Sequence, residues 1–188
     1  MSGPQDFAFV AGNAQDLPTR FGPSSAEILV AEVLPILTGH RRHQPVQLTA
    51  LQQYGTYVTE YDVWTNPLTG AWRTTDRSDG DVDSYNPATH EYRLAGVLQE
   101  MHAGQWGFEP EVVQLALPLK LGVWGRDTDS WKMVSAAEAE TELLVTLRST
   151  RDDHLLGSLT VSKQHEMIIR FDTPAGSIHY RDIESSED

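Results

Sequence analysis

Two neighbouring segments, TYVTEYDVW at residues 56–64 and WRTTDRSDGDVDSY at residues 72–85, give the clearest indication of the architecture. Aromatic and β-branched residues dominate them, which is the composition of strands. Alternate residues of a strand point to opposite faces of its sheet. One face of the first segment then carries Tyr57, Thr59, Tyr61 and Val63, and the other carries Val58, Glu60, Asp62 and Trp64.

Turn signals divide this region and the rest of the chain into further strands. Asp79-Gly80 suits the positive φ angles of a two-residue hairpin, and Asn66-Pro67 and Asn86-Pro87 also favour turns. Residues 135–141 fit a helix or a strand equally well. The predicted strands after the first comprise residues 72–77, 81–85, 91–99, 143–148, 157–162, 167–173 and 177–183.

Two amphipathic helices accompany the strands. Ser24 and Glu27 fit a capping box, so a helix is predicted over residues 25–37, with Pro35 kinking or ending it. A second, short helix is predicted over residues 110–117. Helices segregated from antiparallel strands indicate the α+β class, with a strongly curved antiparallel sheet wrapping a few short helices.

Length and composition narrow the domain organisation. The 188 residues fit one sheet-plus-helix domain over residues 23–184, after an irregular N-terminal arm at residues 1–22 and before an acidic tail at residues 185–188. The chain has no cysteine, which excludes thiolate catalysis and zinc–cysteine sites.

Charge and hydropathy exclude several classes of partner. The formal net charge of −13 disfavours nucleic acid as a partner, because phosphate backbones would be repelled. No apolar run approaches the roughly 20 residues of a membrane span. The first residues do not form a signal peptide, so the chain as written is expected in the cytoplasm, or in the periplasm or outside the cell if a signal was removed.

Candidate metal and catalytic residues give little support to either chemistry. Four aspartates lie within residues 76–83, but their spacing departs from a calcium loop and favours a hairpin turn. His40 and His43 are three residues apart, in a segment that Gly39 and Pro45 mark as a loop. The other histidines, His90, His102, His154, His165 and His179, are scattered singly. We therefore predict no metal site and no cofactor.

Aromatic residues are the positive signal. They crowd the strands between residues 54 and 92, where large rings suit either a packed core or the wall of an apolar pocket. The sequence leaves these two interpretations open.

Short phrases in the strands resemble the bacterial outer-membrane lipoprotein carrier and sorting (LolA-like) superfamily. The first is Asn66-Pro67 followed by Ala71-Trp72-Arg73, and the second is a tyrosine, Asx, proline turn within residues 83–92. The closing strands carry the third, in residues 157–161, 168–171, 176 and 181–183. The resemblance covers roughly residues 25–184.

This resemblance implies an unclosed β-barrel whose cavity, between sheet and helices, holds an acyl chain or another hydrophobic or amphipathic molecule. It also implies that Arg73 hydrogen-bonds the helix or loop that closes the cavity. A non-catalytic carrier or binding module is favoured over a cofactor-independent biosynthetic enzyme of the same fold and over a protein–protein interaction module. The candidate ligand-binding residues are Tyr57, Tyr61, Trp64, Trp72, Arg73, Tyr85 and Tyr92.

Overall fold

The computed structural model describes residues 24–39, 44–100 and 109–186. Its main element is an 11-stranded sheet in which every pairing is antiparallel. The strands are β1 (Val46–Tyr54), β2 (Tyr57–Asn66), β3 (Ala71–Asp76), β4 (Val82–Asn86), β5 (Glu91–Leu94), β6 (Val97–Gln99), β7 (Trp131–Glu138), β8 (Glu142–Ser149), β9 (Leu156–Ser162), β10 (Met167–Thr173) and β11 (Gly176–Ser185). The predicted curved antiparallel sheet with short helices is confirmed, and it is not closed into a barrel.

The sheet consists of two meanders joined along one seam. Its order is β6-β5-β4-β3-β2-β1-β11-β10-β9-β8-β7. The strands that come first and last in the chain, β1 and β11, are therefore neighbours at the centre of the sheet. Each meander runs from this seam to an edge, β6 on one side and β7 on the other. The region between β6 and β7 carries the chain from one edge to the other.

The first helical segment is continuous but changes its winding. It comprises α1 (Ser25–Ile28), a π-helical stretch (Leu29–Val33) and α2 (Leu34–Gly39). The predicted capping box is present: the Ser24 hydroxyl accepts from the Glu27 backbone N–H at 3.3 Å, and a Glu27 carboxylate oxygen accepts from the Ser24 N–H at 2.6 Å. Pro35 directly follows the π-helical stretch, whose wider winding interrupts the regular hydrogen-bond ladder at the point where proline has no N–H to donate. The helix therefore continues through Pro35 to Gly39.

The second helical region is shorter than predicted. Instead of spanning residues 110–117, α3 comprises only Glu111–Gln114, and a 3-10 turn follows at Pro118–Lys120. Both pack with the first helical segment against one side of the sheet, which we call the inner face. The buried core there includes Leu37 from α2, Val113 from α3 and Tyr180 from β11.

Two predictions about strands were wrong in detail. Residues 91–99 form two strands, because Ala95 and Gly96 both take positive φ angles (47° and 74°) and turn the chain back. The turn at Asp79-Gly80 spans more than two residues, since β3 ends at Asp76 and only Gly80 has a positive φ (80°). Side chains stabilise that turn: Asp76 accepts from the Ser78 N–H at 2.8 Å, and Asp79 from the Asp81 N–H at 2.9 Å.

Other elements agree with the sequence or resolve what it left open. Residues 135–141, ambiguous in the sequence, belong largely to β7. The N-terminal arm and the histidine pair His40 and His43 lie outside the described residues, as does His102. Part of the predicted acidic tail belongs to the sheet, because β11 continues to Ser185.

Candidate functional site

Strand alternation separates the seven predicted site residues into two groups. The ladders pair Thr65 with Trp72, Trp72 with Tyr85, and Tyr85 with Tyr92, which places the paired side chains on one face. This is the inner face, and Tyr57 and Tyr61 share it because each lies an even number of residues from Thr65 along β2. Trp64 and Arg73 pair with each other and point to the opposite, outer face.

The inner-face group forms an aromatic cluster at one end of the sheet. The rings of Trp72 and Tyr92 meet edge to face, with centroids 6.2 Å apart and planes at 68°. Trp72 is 1% exposed, and its indole nitrogen has no hydrogen-bond partner in the described part of the chain. Burial, followed by the charge of a nearby aspartate, raises the pKa of both Tyr61 and Tyr92. Tyr57 stands apart at 81% exposure beside the β1–β2 turn.

Arg73 lies on an exposed stretch of the outer face, away from the helices. Within residues 24–39, 44–100 and 109–186, its guanidinium makes no hydrogen bond or ion pair. In particular, Arg73 forms no ion pair with Asp76 or Glu91 in this part of the chain.

A different arginine holds the helical region. The guanidinium of Arg126 donates to the carbonyl oxygens of Leu119 and Leu121 at 3.2 and 3.1 Å, and to the Asp129 carboxylate at 2.9 Å. Asp129 is 5% exposed and also accepts from the Trp124 backbone N–H at 2.9 Å. Burial opposes ionisation of Asp129, but the hydrogen bonds from Arg126 and the backbone outweigh it and lower its pKa. This network fixes the loop that follows the 3-10 turn.

A cavity of about 390 Å³ opens where the sheet meets that turn, and we call it the rim cavity. The start of β1, the end of β11, the β2–β3 and β9–β10 turns and the residues around Pro118 surround it. Its lining residues are Gln44, Val46, Pro67, Ala116, Pro118, Gln164, His165, Glu166, Met167, Ile183 and Ser185. None of the seven predicted site residues is among them. No local signal in the sequence marks it, because its lining residues come from segments that are distant in the chain.

A larger groove of about 810 Å³ lies mainly on the outer face, and we call it the outer groove. Side chains or backbone of thirteen residues from β1 to β5 line it: Gln47, Asp62, Val63, Trp64, Ala71, Trp72, Arg73, Thr75, Ser84, Tyr85, Asn86, Glu91 and Arg93. Trp64, Trp72, Arg73 and Tyr85, four of the seven predicted residues, therefore meet at this groove. The sequence had placed them around one cavity between sheet and helices.

Within the described residues, no group of three or more histidine, aspartate or glutamate side chains is arranged to hold a metal ion. Asp76 and Asp79 of the suspected calcium segment instead bond to the backbone of their own turn. In the same part of the chain, no helix is long and apolar enough to cross a membrane.

The chain is similar to several solved structures. MucB is 17% identical, with a TM-score of 0.44 over 88% of this chain and 61% of the MucB chain. An uncharacterized conserved protein from Thermus thermophilus is 12% identical, with a TM-score of 0.47 over 85% of this chain and 88% of that one. The LolA superfamily protein NE2245 from Nitrosomonas europaea is 9% identical, with a TM-score of 0.32 over 83% and 94%.

This last structure belongs to the superfamily that the sequence resembles. The chain spans about three fifths of the MucB chain. No protein-family profile and no curated protein matches the sequence.

Proposed function

We propose that the chain is a non-catalytic binding module that holds the apolar chain of an amphipathic molecule in the rim cavity. The observation that carries this proposal is the position, between sheet and helical region, of a cavity of about 390 Å³ with both apolar and polar lining residues. That volume falls within the roughly 300 to 1,000 Å³ of ligand pockets. Elsewhere on the inner face, helical residues such as Leu37 and Val113 are fully buried against the sheet.

The lining of the rim cavity supports an amphipathic ligand over a purely apolar one. Val46, Ala116, Met167 and Ile183 supply aliphatic wall, and Ala116 and Met167 are buried. Exposed polar side chains, including Gln44, Gln164 and Ser185, stand among them. A ligand with an apolar chain and a polar head would bury the chain against the first set and keep its head near the second.

The proposal predicts a dependence of affinity on chain length. Each methylene removed from water contributes about 0.8 kcal/mol, which is about a four-fold change in Kd. Decanol and dodecanol are suitable probes because their neutral heads do not respond to the arginines of the outer groove. The two alcohols differ by two methylenes, so the Kd of dodecanol, measured by displacement of Nile red, should be about fifteen-fold lower than the Kd of decanol.

The test uses one variant that fills the rim cavity and one matched control. Ala116→Leu adds three carbons to the wall of the cavity and should weaken dodecanol binding at least ten-fold. Ala137→Leu makes the same change at an exposed position of β7, outside the cavity lining, and should leave the affinity unchanged. Comparing melting temperatures separates lost binding from lost folding.

Two outcomes would contradict the proposal. The first is the absence of saturable displacement of Nile red by either alcohol in the parent protein. The second is an equal loss of affinity in Ala116→Leu and Ala137→Leu. Native mass spectrometry of gently purified protein adds an independent measurement, in which a retained amphipathic molecule supports the proposal.

A further inference from the structure

One row of side chains crosses the floor of the outer groove. Trp64 pairs with Arg73, Arg73 with Ser84, and Ser84 with Arg93, in the ladders of β2, β3, β4 and β5. Directly paired residues on one face have Cβ atoms about 4.5 to 5.5 Å apart. Ser84 therefore sits between two arginines, each one strand away, and Trp64 stands beside the first of them.

The two arginines of this row lack acidic partners in the described part of the chain. Arg93 donates only to the Gly96 carbonyl oxygen, at 3.4 Å, and Arg73 and the Ser84 hydroxyl make no hydrogen bond there. Arg170 contacts Asp172 at 2.7 Å and Arg181 contacts Glu60 at 2.5 Å, whereas the exposed side chains of Arg148 and Arg151 also lack an ion pair in the described part of the chain. Arg73 and Arg93 differ from those two in that they line one groove on either side of Ser84, in a chain with a net charge of −13.

The nearest carboxylate on β2 does not neutralise Arg73. Asp62 also lines the outer groove, but it accepts from Arg77 at 2.9 and 2.5 Å. Arg77 in turn bonds Glu60 and the Thr49 hydroxyl, which fixes its guanidinium over β2 and β1. Arg77 thus screens Asp62 and leaves the charge of Arg73 available to a ligand.

We propose that Arg73, Ser84 and Arg93 bind the oxyanion of a small organic molecule, a carboxylate or a phosphate monoester, whose planar or apolar part lies against Trp64. Guanidinium groups hold such oxyanions through paired, charge-assisted hydrogen bonds, and a serine hydroxyl can donate a further one. Half-buried Trp64 offers aromatic surface beside the charge. The groove volume of about 810 Å³ accommodates the whole of such a molecule.

The surroundings favour one anionic group over a polyanion. Glu91 lines the same groove, two residues from Arg93 on the same face of β5, and Asp62 lies at its other side. The net charge of −13 repels an extended polyanion over about 10 Å at moderate salt. A nucleic acid or a polyphosphate is therefore a poor fit, whereas a ligand with one charged end is a good one.

The experiment is an NMR titration of the isotope-labelled chain with phenyl phosphate and, separately, with benzoate at constant ionic strength. The expected result is a saturable shift of the backbone amides of Arg73, Ser84 and Arg93 with at least one of the probes. Saturation with phenyl phosphate alone identifies a phosphate ligand, and saturation with benzoate alone identifies a carboxylate ligand. Linear, non-saturating shifts with both probes would overturn the proposal.

Substitutions provide the matched comparison. Arg73→Gln and Arg93→Gln should each weaken binding of the active probe at least ten-fold. Arg148→Gln is the control, because Arg148 is also exposed on β8, six strand positions from β3. An equal loss of affinity in Arg148→Gln would show that the probe binds through general charge attraction, and it would refute the proposal. Rim-cavity variants should not change this affinity, so the two sites succeed or fail separately.

Discussion

At the scale of single residues, two tyrosines tie the helical region to the seam of the sheet. The hydroxyl of Tyr180, on β11, donates to the Val112 carbonyl oxygen of α3. The hydroxyl of Tyr54, at the end of β1, donates to the Glu111 carboxylate. Burial raises the pKa of Tyr180, and burial followed by the bond to Glu111 raises the pKa of Tyr54 to about 12.

These shifts predict alkaline unfolding. A tyrosine in the unfolded chain ionises near pH 10, whereas Tyr54 and Tyr180 in the folded protein keep their protons to higher pH. The free energy of unfolding therefore falls as pH rises from about 10 to 12. The urea midpoint at pH 11 should lie below that at pH 8, and the difference should shrink in Tyr54→Phe and Tyr180→Phe. At pH 8, Tyr180→Phe should cost about 1 to 3 kcal/mol because the Val112 carbonyl loses its donor.

Tyr57→Phe controls for the loss of a hydroxyl, since its ring is 81% exposed. It should leave the midpoint at pH 8 within experimental error. An unchanged pH dependence in both Tyr54→Phe and Tyr180→Phe would refute the assignment to these residues.

The alternation of side chains along a strand also explains why the predicted site residues do not line one cavity. Trp72 and Arg73 are neighbours on one strand, so their side chains must point to opposite faces and cannot share one cavity. That signal was present in the sequence, and it separates Arg73 and Trp64 from the inner aromatic residues. The rim cavity was beyond reach, because Val46, Pro67, Ala116 and Ile183 meet only after distant segments pack together.

At the scale of elements, strands with strong local signals were predicted best. In β2, alternation assigned both faces correctly, and Asn66 and Asn86 ended strands as expected, each accepting backbone N–H groups of the following turn. The β5–β6 hairpin was missed because Ala95 is not a residue that favours a positive φ. The extent of α3 depends on packing against β1 and β2, and four helical residues are too few for a local pattern to define.

At the seam between β1 and β11, the packing is close enough that one added methyl group should destabilise the fold. A Cβ on Gly176 would collide with the Gln53 carbonyl oxygen and lie 2.6 Å from Cδ1 of the Tyr54 ring. Gly176→Ala should therefore destabilise the fold by about 1 to 3 kcal/mol, the usual cost of overpacking. Urea unfolding measures this loss.

Gly39→Ala is the matched control at the end of α2, where a new Cβ would have no neighbour within 4 Å among the residues that the structure describes. There the same substitution should be neutral or stabilise by up to about 1 kcal/mol, since alanine reduces the entropy of the unfolded chain. Equal stabilities of the two variants would contradict the close approach at the seam.

At the scale of the whole molecule, negative charge is in large excess. Fourteen basic residues face twenty-seven acidic ones, and most of the ion pairs that the structure describes are at least partly exposed, where each contributes at most about 1 kcal/mol. Self-repulsion of the remaining charge opposes the compact state. Screening of that repulsion should outweigh the loss of surface pairs.

Salt should therefore stabilise the protein. Raising sodium chloride from about 10 to 200 mM shortens the screening length from roughly 30 Å to under 10 Å, and should raise Tm by a few degrees. Differential scanning calorimetry measures the change, with potassium chloride at equal ionic strength as the control for ion-specific effects. A fall in Tm with both salts would show that the surface ion pairs contribute more than the net charge.

The seam has a further consequence, for the order in which the fold can be completed during synthesis. Val46 pairs with Ser185, and Tyr54 pairs with Gly176, so the central ladder joins segments made at opposite ends of the described chain. While the chain is growing, β1 has β2 beside it but an open edge on its other side until β11 leaves the ribosome. Contacts so distant in sequence close slowly, and an unpaired strand edge invites association with other chains. The growing chain therefore exposes one edge of its central strand from the synthesis of β1 until β11 has been made.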